Sequence, residues 1–415
     1  MRTTLAALGI LAFGAWTMAD FPAVNDLPAR PDLPDPLVSL DGKRIATKED
    51  WLAKRRPELK QLFQNYMYGY FPEKPGNLSF KVERVDPMAL GGKATLKEVT
   101  ISYGPPTSPK IHLLIVIPNK RSGPAPVIVG LNFTGNHSVL ADPKIALTGS
   151  WFRSSKGGDN KATDEGRGKA IANWSIEQSI DAGYAVATAY YGDISPDWND
   201  VKNGVMPQLK KAGATPTASD WGAIACWAWG ISRCIDYLAT DSDIDMTRIV
   251  VFGHSRLGKT ALLAAAFDER IAVAIPHQSG CGGAGPSRSH NKKAESVAVI
   301  NKSFPHWFDA NFKEFGKQLD KLPFDQNCLI ALVAPRPVLL SNATGDEWAN
   351  PDGQFDMLKG ADSVYKLLGS SGLAVTTRPA VGTLVDSPLG YYIRTGDHST
   401  TPDDWKIFVR YADAN

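Results

Sequence analysis

The stretch "RIVVFGHSRLGKTALLAAAF", Arg248–Phe267, decides the fold. Ile249–Phe252 is a short, solidly apolar run that reads as a buried strand, and Thr260–Phe267 is a small-residue pattern that reads as a helix. Between them stands Gly253-His254-Ser255-Arg256-Leu257-Gly258-Lys259. A serine on a sharp strand-to-helix corner is a nucleophile elbow. The turn lifts the hydroxyl above the carboxyl end of a sheet, and the helix N-terminus beneath it favours developing negative charge. The usual spacing is G-x-S-x-G. Here Gly253 lies two residues before Ser255, whereas the second glycine, Gly258, lies three after it.

Two other readings fit the same letters. Gly253 and Gly258 would relieve a tight turn with Ser255 as a helix N-cap. Gly253, four residues, then Gly258-Lys259-Thr260 also meets the phosphate-loop spacing literally. Export argues against an ATPase, because the destination lacks ATP, and no aspartate ends a nearby strand as its metal-binding partner.

Export is read from the N-terminus. Arg2 makes a short basic region, Leu5–Trp16 an apolar one, and Thr17-Met18-Ala19 resembles a cleavage site, so residues 1–19 form a secretory signal peptide. Residues 20–46 are proline-rich and read as an extended arm. A single catalytic domain then covers 47–415, opening at Thr47 with a helix that runs to about Met67. With 415 residues and 43% hydrophobic side chains the chain can bury a large core. Its net charge of +2, without a basic block, points away from nucleic acid, and no second long apolar run points to a membrane. The mature protein is expected to be soluble, secreted to the periplasm or beyond, and monomeric.

Thr95–Tyr103 and Ile111–Ile117 alternate and predict an antiparallel hairpin of edge strands. Val127–Phe133, Tyr184–Tyr190, Ile249–Phe252, Ala272–Ile275 and Val338–Leu340 are solidly apolar, with helical patterns such as Trp221–Leu238 between most of them. Buried strands alternating with helices give a mostly parallel sheet, and hence a three-layer α/β-hydrolase sandwich with antiparallel N-terminal edge strands. Residues 285–330 are polar and irregular and read as an insertion over the sheet.

Four cysteines, Cys226, Cys234, Cys281 and Cys328, do not make a disulfide scaffold. Cys226 and Cys234 fall on one helix about 12 Å apart, too far to bond, while a Cys281–Cys328 pair stays open. No cysteine or histidine cluster predicts a metal, and no cofactor is expected.

A serine nucleophile needs a base and an orienting acid, in the chain order Ser, acid, His. His277, His290, His306 and His398 follow the serine; His398, in "RTGDHSTTPDDW", lies where a last-strand loop would carry the base. Val338–Leu340 is the penultimate strand, and Asp346 is the first carboxylate after it, with Glu347 and Asp352 as rivals.

Together, "GHSRLGK" (253–259), "SGCGGAG" (279–285), "APRP" (334–337), "DEWANPDG" (346–353) and "GDHS" (396–399) resemble the bacterial branch of the glucuronoyl esterases. These carbohydrate esterases cleave the ester between the 4-O-methyl-glucuronic acid of xylan and lignin alcohols. The resemblance spans roughly 45–415. It implies that Ser255 is the nucleophile and His398 the base, and that Arg256 helps form the oxyanion hole. It implies further that Lys259, Glu295 and Trp348 bind the sugar. Fungal members carry the acid as glutamate in a segment that here reads "PHQSGCGG", with Gln278 in its place. A neutral amide cannot stabilise an imidazolium as a carboxylate does, so the acid is expected at Asp346.

Weaker candidates are Asn136 and His137 in "GLNFTGNHS", which line the site or simply pack, and His306 and Trp307, read as core of the insertion. Trp227 and Trp229 are read as packing on a core helix. The alternatives for function are an acetyl xylan esterase on the same fold and a non-catalytic glycan-binding protein.

Overall fold

The computed structural model describes residues 21–152, 159–199, 203–210 and 215–415, so the expected signal peptide lies outside the described residues. Nine strands form one sheet: β1 (Ser79–Ala89), β2 (Ala94–Ser102), β3 (Ile111–Pro118), β4 (Ala125–Asn132), β5 (Ala185–Tyr190), β6 (Ile244–His254), β7 (Val273–His277), β8 (Val338–Ala343) and β9 (Leu389–Arg394). Their order is β1-β2-β3-β5-β4-β6-β7-β8-β9. β1 to β3 and the β3–β5 pair are antiparallel, and every pairing from β5 through β9 is parallel.

Each parallel strand is covered on both faces, which is why β4, β5, β7 and β8 are buried at every position and read as unbroken apolar runs. Alternation along β6 divides the two cores. Ile249 and Val251 pack with the helices Ala223–Leu238, Arg256–Phe267 and Pro351–Leu367, whereas Val250 and Phe252 pack with Trp405 and Phe408 of the helix Pro402–Ala414. Trp227 and Trp229 are buried on the Ala223–Leu238 helix, as the sequence predicts.

Two departures from the sequence expectation have physical causes. β2 and β3 do pair as an antiparallel hairpin, but the edge is β1. β1 has only one neighbour, so most of it faces solvent and its composition lacks the apolar alternation of a half-buried strand. The elbow helix begins at Arg256 and not at Thr260, because the apolar small-residue pattern marks only its later, packed turns, while its first turn carries Arg256 and Lys259.

Residues 21–46 are held by buried anchors, Val24, Leu27, Leu37 and Ile45, and by bonds to residues far along the chain. Asn327 Nδ2 donates to the Pro34 carbonyl (2.9 Å), and Arg30 N–H to the Asp320 carbonyl (2.6 Å). All four cysteines are free and buried. Among the described residues no helix is long and apolar enough to cross a membrane.

Candidate active site

Ser255 sits at φ 59°, ψ −126°, between the last residue of β6 and the first of the helix Arg256–Phe267. A non-glycine residue with positive φ stores strain that the surroundings must hold. The hold comes from its own backbone: Ser255 N–H donates to the His277 carbonyl at the end of β7 (3.0 Å), and its carbonyl accepts from Gly258 and Lys259 (2.9 and 3.1 Å). The turn is so tight that a Cβ on Gly253 would lie 1.9 Å from the Leu257 carbonyl oxygen. One on Gly258 would lie 2.9 Å from the His277 carbonyl oxygen. Close backbone approach therefore accounts for both glycines of the G-x-S-R-x-G spacing, and the serine hydroxyl makes no N-cap bond.

Asp346 follows β8, and its Oδ1 accepts from Ala349 N–H (3.3 Å), capping the short turn Glu347–Ala349. Its Oδ2 lies 2.7 Å from His398 Nδ1. Asp346 is buried, while His398 is partly open to the cavity. The two rival carboxylates face elsewhere: Glu347 pairs with Lys293 (2.8 Å) and Asp352 with Arg378 (2.6 Å), both on the surface.

Gln278 adopts φ 48° at the end of β7. Its Oε1 accepts from Ser399 N–H (2.9 Å), next to His398 in the chain, and lies 3.0 Å from His254 Nε2. Because the backbone N–H fixes which end of the amide is the oxygen, His254 must donate from Nε2. Burial, then the neighbouring His277 and His398, holds the His254 pKa well below its ordinary value, so this ring is neutral. It packs against His398 at a tilt of 37°, with centroids 4.4 Å apart.

Ser255, Arg256, Lys259, Gln278, Glu295, Trp307, Asp346, Trp348 and His398 line one cavity of about 370 Å³. Lys259 Nζ donates to the Ser279 and Cys281 carbonyls (2.7 and 2.6 Å) and lies 3.6 Å from Glu295 Oε2. Burial pulls the lysine pKa down, and the Glu295 charge opposes that pull. Trp348 is half exposed at the rim, and its carbonyl accepts from Glu295 N–H (3.0 Å). The Arg256 guanidinium lies 4.9, 5.5 and 5.8 Å from the ring centres of Trp307, Phe304 and Phe133 and pairs with Asp197.

The structure thus brings together all seven residues singled out for the site. Trp307 is buried, as expected of core, yet it also forms the cavity wall, stacked on Phe304 at 3.7 Å. Asn136 and His137 pack away from it: Asn136 Nδ2 donates to the His112 carbonyl (2.8 Å), and the His137 ring is buried against Gly135 and Gly166. Sequence reasoning missed Asp197 and Phe304. Asp197 carries no motif, and 59 residues separate it from Arg256. Among the described residues, no group of three or more His, Cys, Asp or Glu side chains is placed to hold a metal ion.

Comparison with known proteins agrees with the resemblance read from the motifs. The family model for fungal glucuronyl esterase matches residues 210–369. A carbohydrate esterase of unknown prokaryotic origin is 47% identical over 389 residues, 92% of this chain and 89% of its own. A 4-O-methyl-glucuronoyl methylesterase of Wolfiporia cocos is 30% identical over 81% of this chain and 72% of its own. The glucuronoyl esterase of Solibacter usitatus superposes with a TM-score of 0.87 at 39% identity, covering 94% of this chain and 99% of that one. An elbow serine, a histidine paired with a buried aspartate, and a fold shared over nearly the whole length lead to one conclusion: the chain belongs to the glucuronoyl esterase family of carbohydrate esterases and is a carboxylic ester hydrolase.

Proposed function

We propose that this esterase hydrolyses the ester joining the (4-O-methyl-)glucuronic acid of glucuronoxylan to lignin alcohols, with Ser255 as nucleophile. Asp346 holds His398 through Nδ1, which leaves Nε2 to take the Ser255 proton. Ser255 attacks the uronate carbonyl, and the oxyanion is met by Arg256 together with backbone N–H groups. A guanidinium adds a full charge to donors that are otherwise neutral. His398 returns the proton to the departing alcohol. Water, deprotonated by His398, then releases the glucuronate from the serine.

One observation carries the assignment of the acyl side. The cavity that holds Ser255 is walled by a buried Lys259–Glu295 pair, with Trp348 at its rim. An acetyl group would have no use for these groups, whereas a uronate ring offers hydroxyls to the pair and an apolar face to the indole. The alcohol is read loosely at the mouth, in keeping with large and variable lignin alcohols. The enzyme works as a secreted monomer, directed by the N-terminal stretch 1–19.

Hydrolysis of benzyl glucuronate beside an acetylated xylo-oligosaccharide tests this. The wild type is expected to favour the glucuronate ester by at least tenfold in kcat/KM, and Ser255→Ala to lose that activity. Preference for the acetyl ester would move the protein to acetyl xylan esterases. Binding of glucuronoxylan with no turnover of either ester would make it a glycan-binding protein.

A further inference from the structure

Arg256 has a partner that the reaction as described does not use. Asp197 lies in the loop that follows β5, just past the turn Tyr191–Asp193, and its side chain is wholly buried. Its Oδ2 pairs with Arg256 Nη1 and stands 3.3 Å from the Tyr191 hydroxyl. Its Oδ1 accepts from Trp307 Nε1 (2.8 Å) and from His306 Nε2 (2.9 Å). Burial by itself would raise the carboxyl pKa. The bond from His306, the Arg256 charge and the bond from Trp307 outweigh it and hold the group far below the ordinary carboxylate range. Asp197 is therefore an anion at any working pH.

We propose that Asp197 is a positioning residue for catalysis: it anchors the Arg256 guanidinium so that its remaining N–H groups are aimed at the oxyanion before substrate arrives. This rests on the reading of Arg256 as an oxyanion donor. The reason is conformational. A free arginine side chain loses rotamer entropy when it is fixed in one geometry. A donor that must reorient during the reaction stabilises charge less than one already in place. Asp197 engages one end of the guanidinium, and the rings of Phe133, Phe304 and Trp307 flank it. Arg256 also lines the cavity that holds Ser255, so the part of the donor fork not engaged by Asp197 borders the space a ligand would fill. The same carboxylate holds Trp307, which forms the cavity wall, so one buried anion sets both the donor and the wall.

The competing role is structural: Asp197 would merely tie the segment around His306 and Trp307 to the loop after β5. A double-mutant cycle on benzyl glucuronate separates the two, with the melting temperature measured for each variant. Arg256→Gln alone is expected to lower kcat by about 10²–10³-fold, the loss typical of one oxyanion donor. Asp197→Asn is expected to lower kcat by about 10–100-fold with a smaller change in KM, and to cost no further kcat in the Arg256→Gln background, since residues acting as a unit are not additive. Equal kcat losses in both backgrounds, or an unchanged kcat in Asp197→Asn, overturn the proposal and leave the role of Arg256 standing. An unimpaired Arg256→Gln overturns the oxyanion reading itself, and the Asp197 proposal with it. If Asp197→Asn does not fold, Asp197→Glu takes its place in the same cycle. It keeps the charge but moves the carboxylate by one methylene, and the same coupled loss of kcat is expected.

Discussion

At the scale of single residues, the carboxylates that follow β8 are told apart by what each touches. Asp346 is buried and faces His398 Nδ1, while Glu347 and Asp352 spend their charge on Lys293 and Arg378 at the surface. Exposed pairs of that kind contribute about 0–1 kcal/mol and no orientation to a distant imidazole. Asp346→Ala is therefore expected to reduce kcat on benzyl glucuronate by about 10³–10⁴-fold, as loss of the orienting acid does in serine hydrolases. Glu347→Ala and Asp352→Ala should stay within about twofold of wild type. An Asp346→Ala enzyme that kept most of its activity would place the acid elsewhere. Gln278 ties His254 to the backbone of Ser399. That Asp346 and not its neighbours would face His398 was legible from strand order. That Gln278 reaches Ser399, 121 residues away, was not, since nothing local in either segment encodes the pairing.

At the scale of elements, the ends of β6 and β7 lie side by side, with His254 opposite His277 in register. His277 is fully buried; its Nε2 donates to the Ser399 carbonyl (2.9 Å), and the Asp404 carboxylate lies 3.9 Å away. Burial lowers its pKa more than Asp404 raises it, with Arg394 and His398 adding to the lowering. The unfolded chain protonates this ring below about pH 6.5, whereas the folded chain resists until the pH is lower. The ring's contribution to stability is thus complete above pH 6.5 and declines as the pH falls toward its depressed folded value. In His277→Gln, stability measured by urea unfolding should fall less steeply between about pH 6.5 and 5, by up to about 1.4 kcal/mol per pH unit. A slope identical to wild type would show that the ring is already charged in the fold. The strand-turn-helix itself was readable because it is local: Gly253 and Gly258 are demanded by atoms within a few residues or on the adjacent strand. β1 was not readable, because an edge strand takes its place from its partner and not from its own pattern.

At the scale of the whole molecule, stability comes from two large cores on either side of the sheet, with no covalent cross-link among the described residues. Each thiol is buried, and burial pushes that of Cys328 up to about 11, so all four are poor thiolates in the native state. A thiol-specific chromogenic reagent should find four reactive groups in denaturant without reductant, and essentially none in the native protein. A reducing agent should leave Tm unchanged. Only two thiols in denaturant would mean that Cys281 and Cys328 pair after all.

The sequence by itself determined the elbow, the mostly parallel sheet, the meeting of Ser255, Asp346 and His398 in one cavity, and the family. These depend on short-range sterics and on apolar periodicity, which any reader of the chain can trace residue by residue. Only the tertiary structure decided that Arg256 meets Asp197, that Trp307 walls the cavity, and that Gln278 holds the loop at Ser399. Those contacts join segments that share no local signal. They exist because a buried polar group must find a partner wherever the packed loops put one within reach.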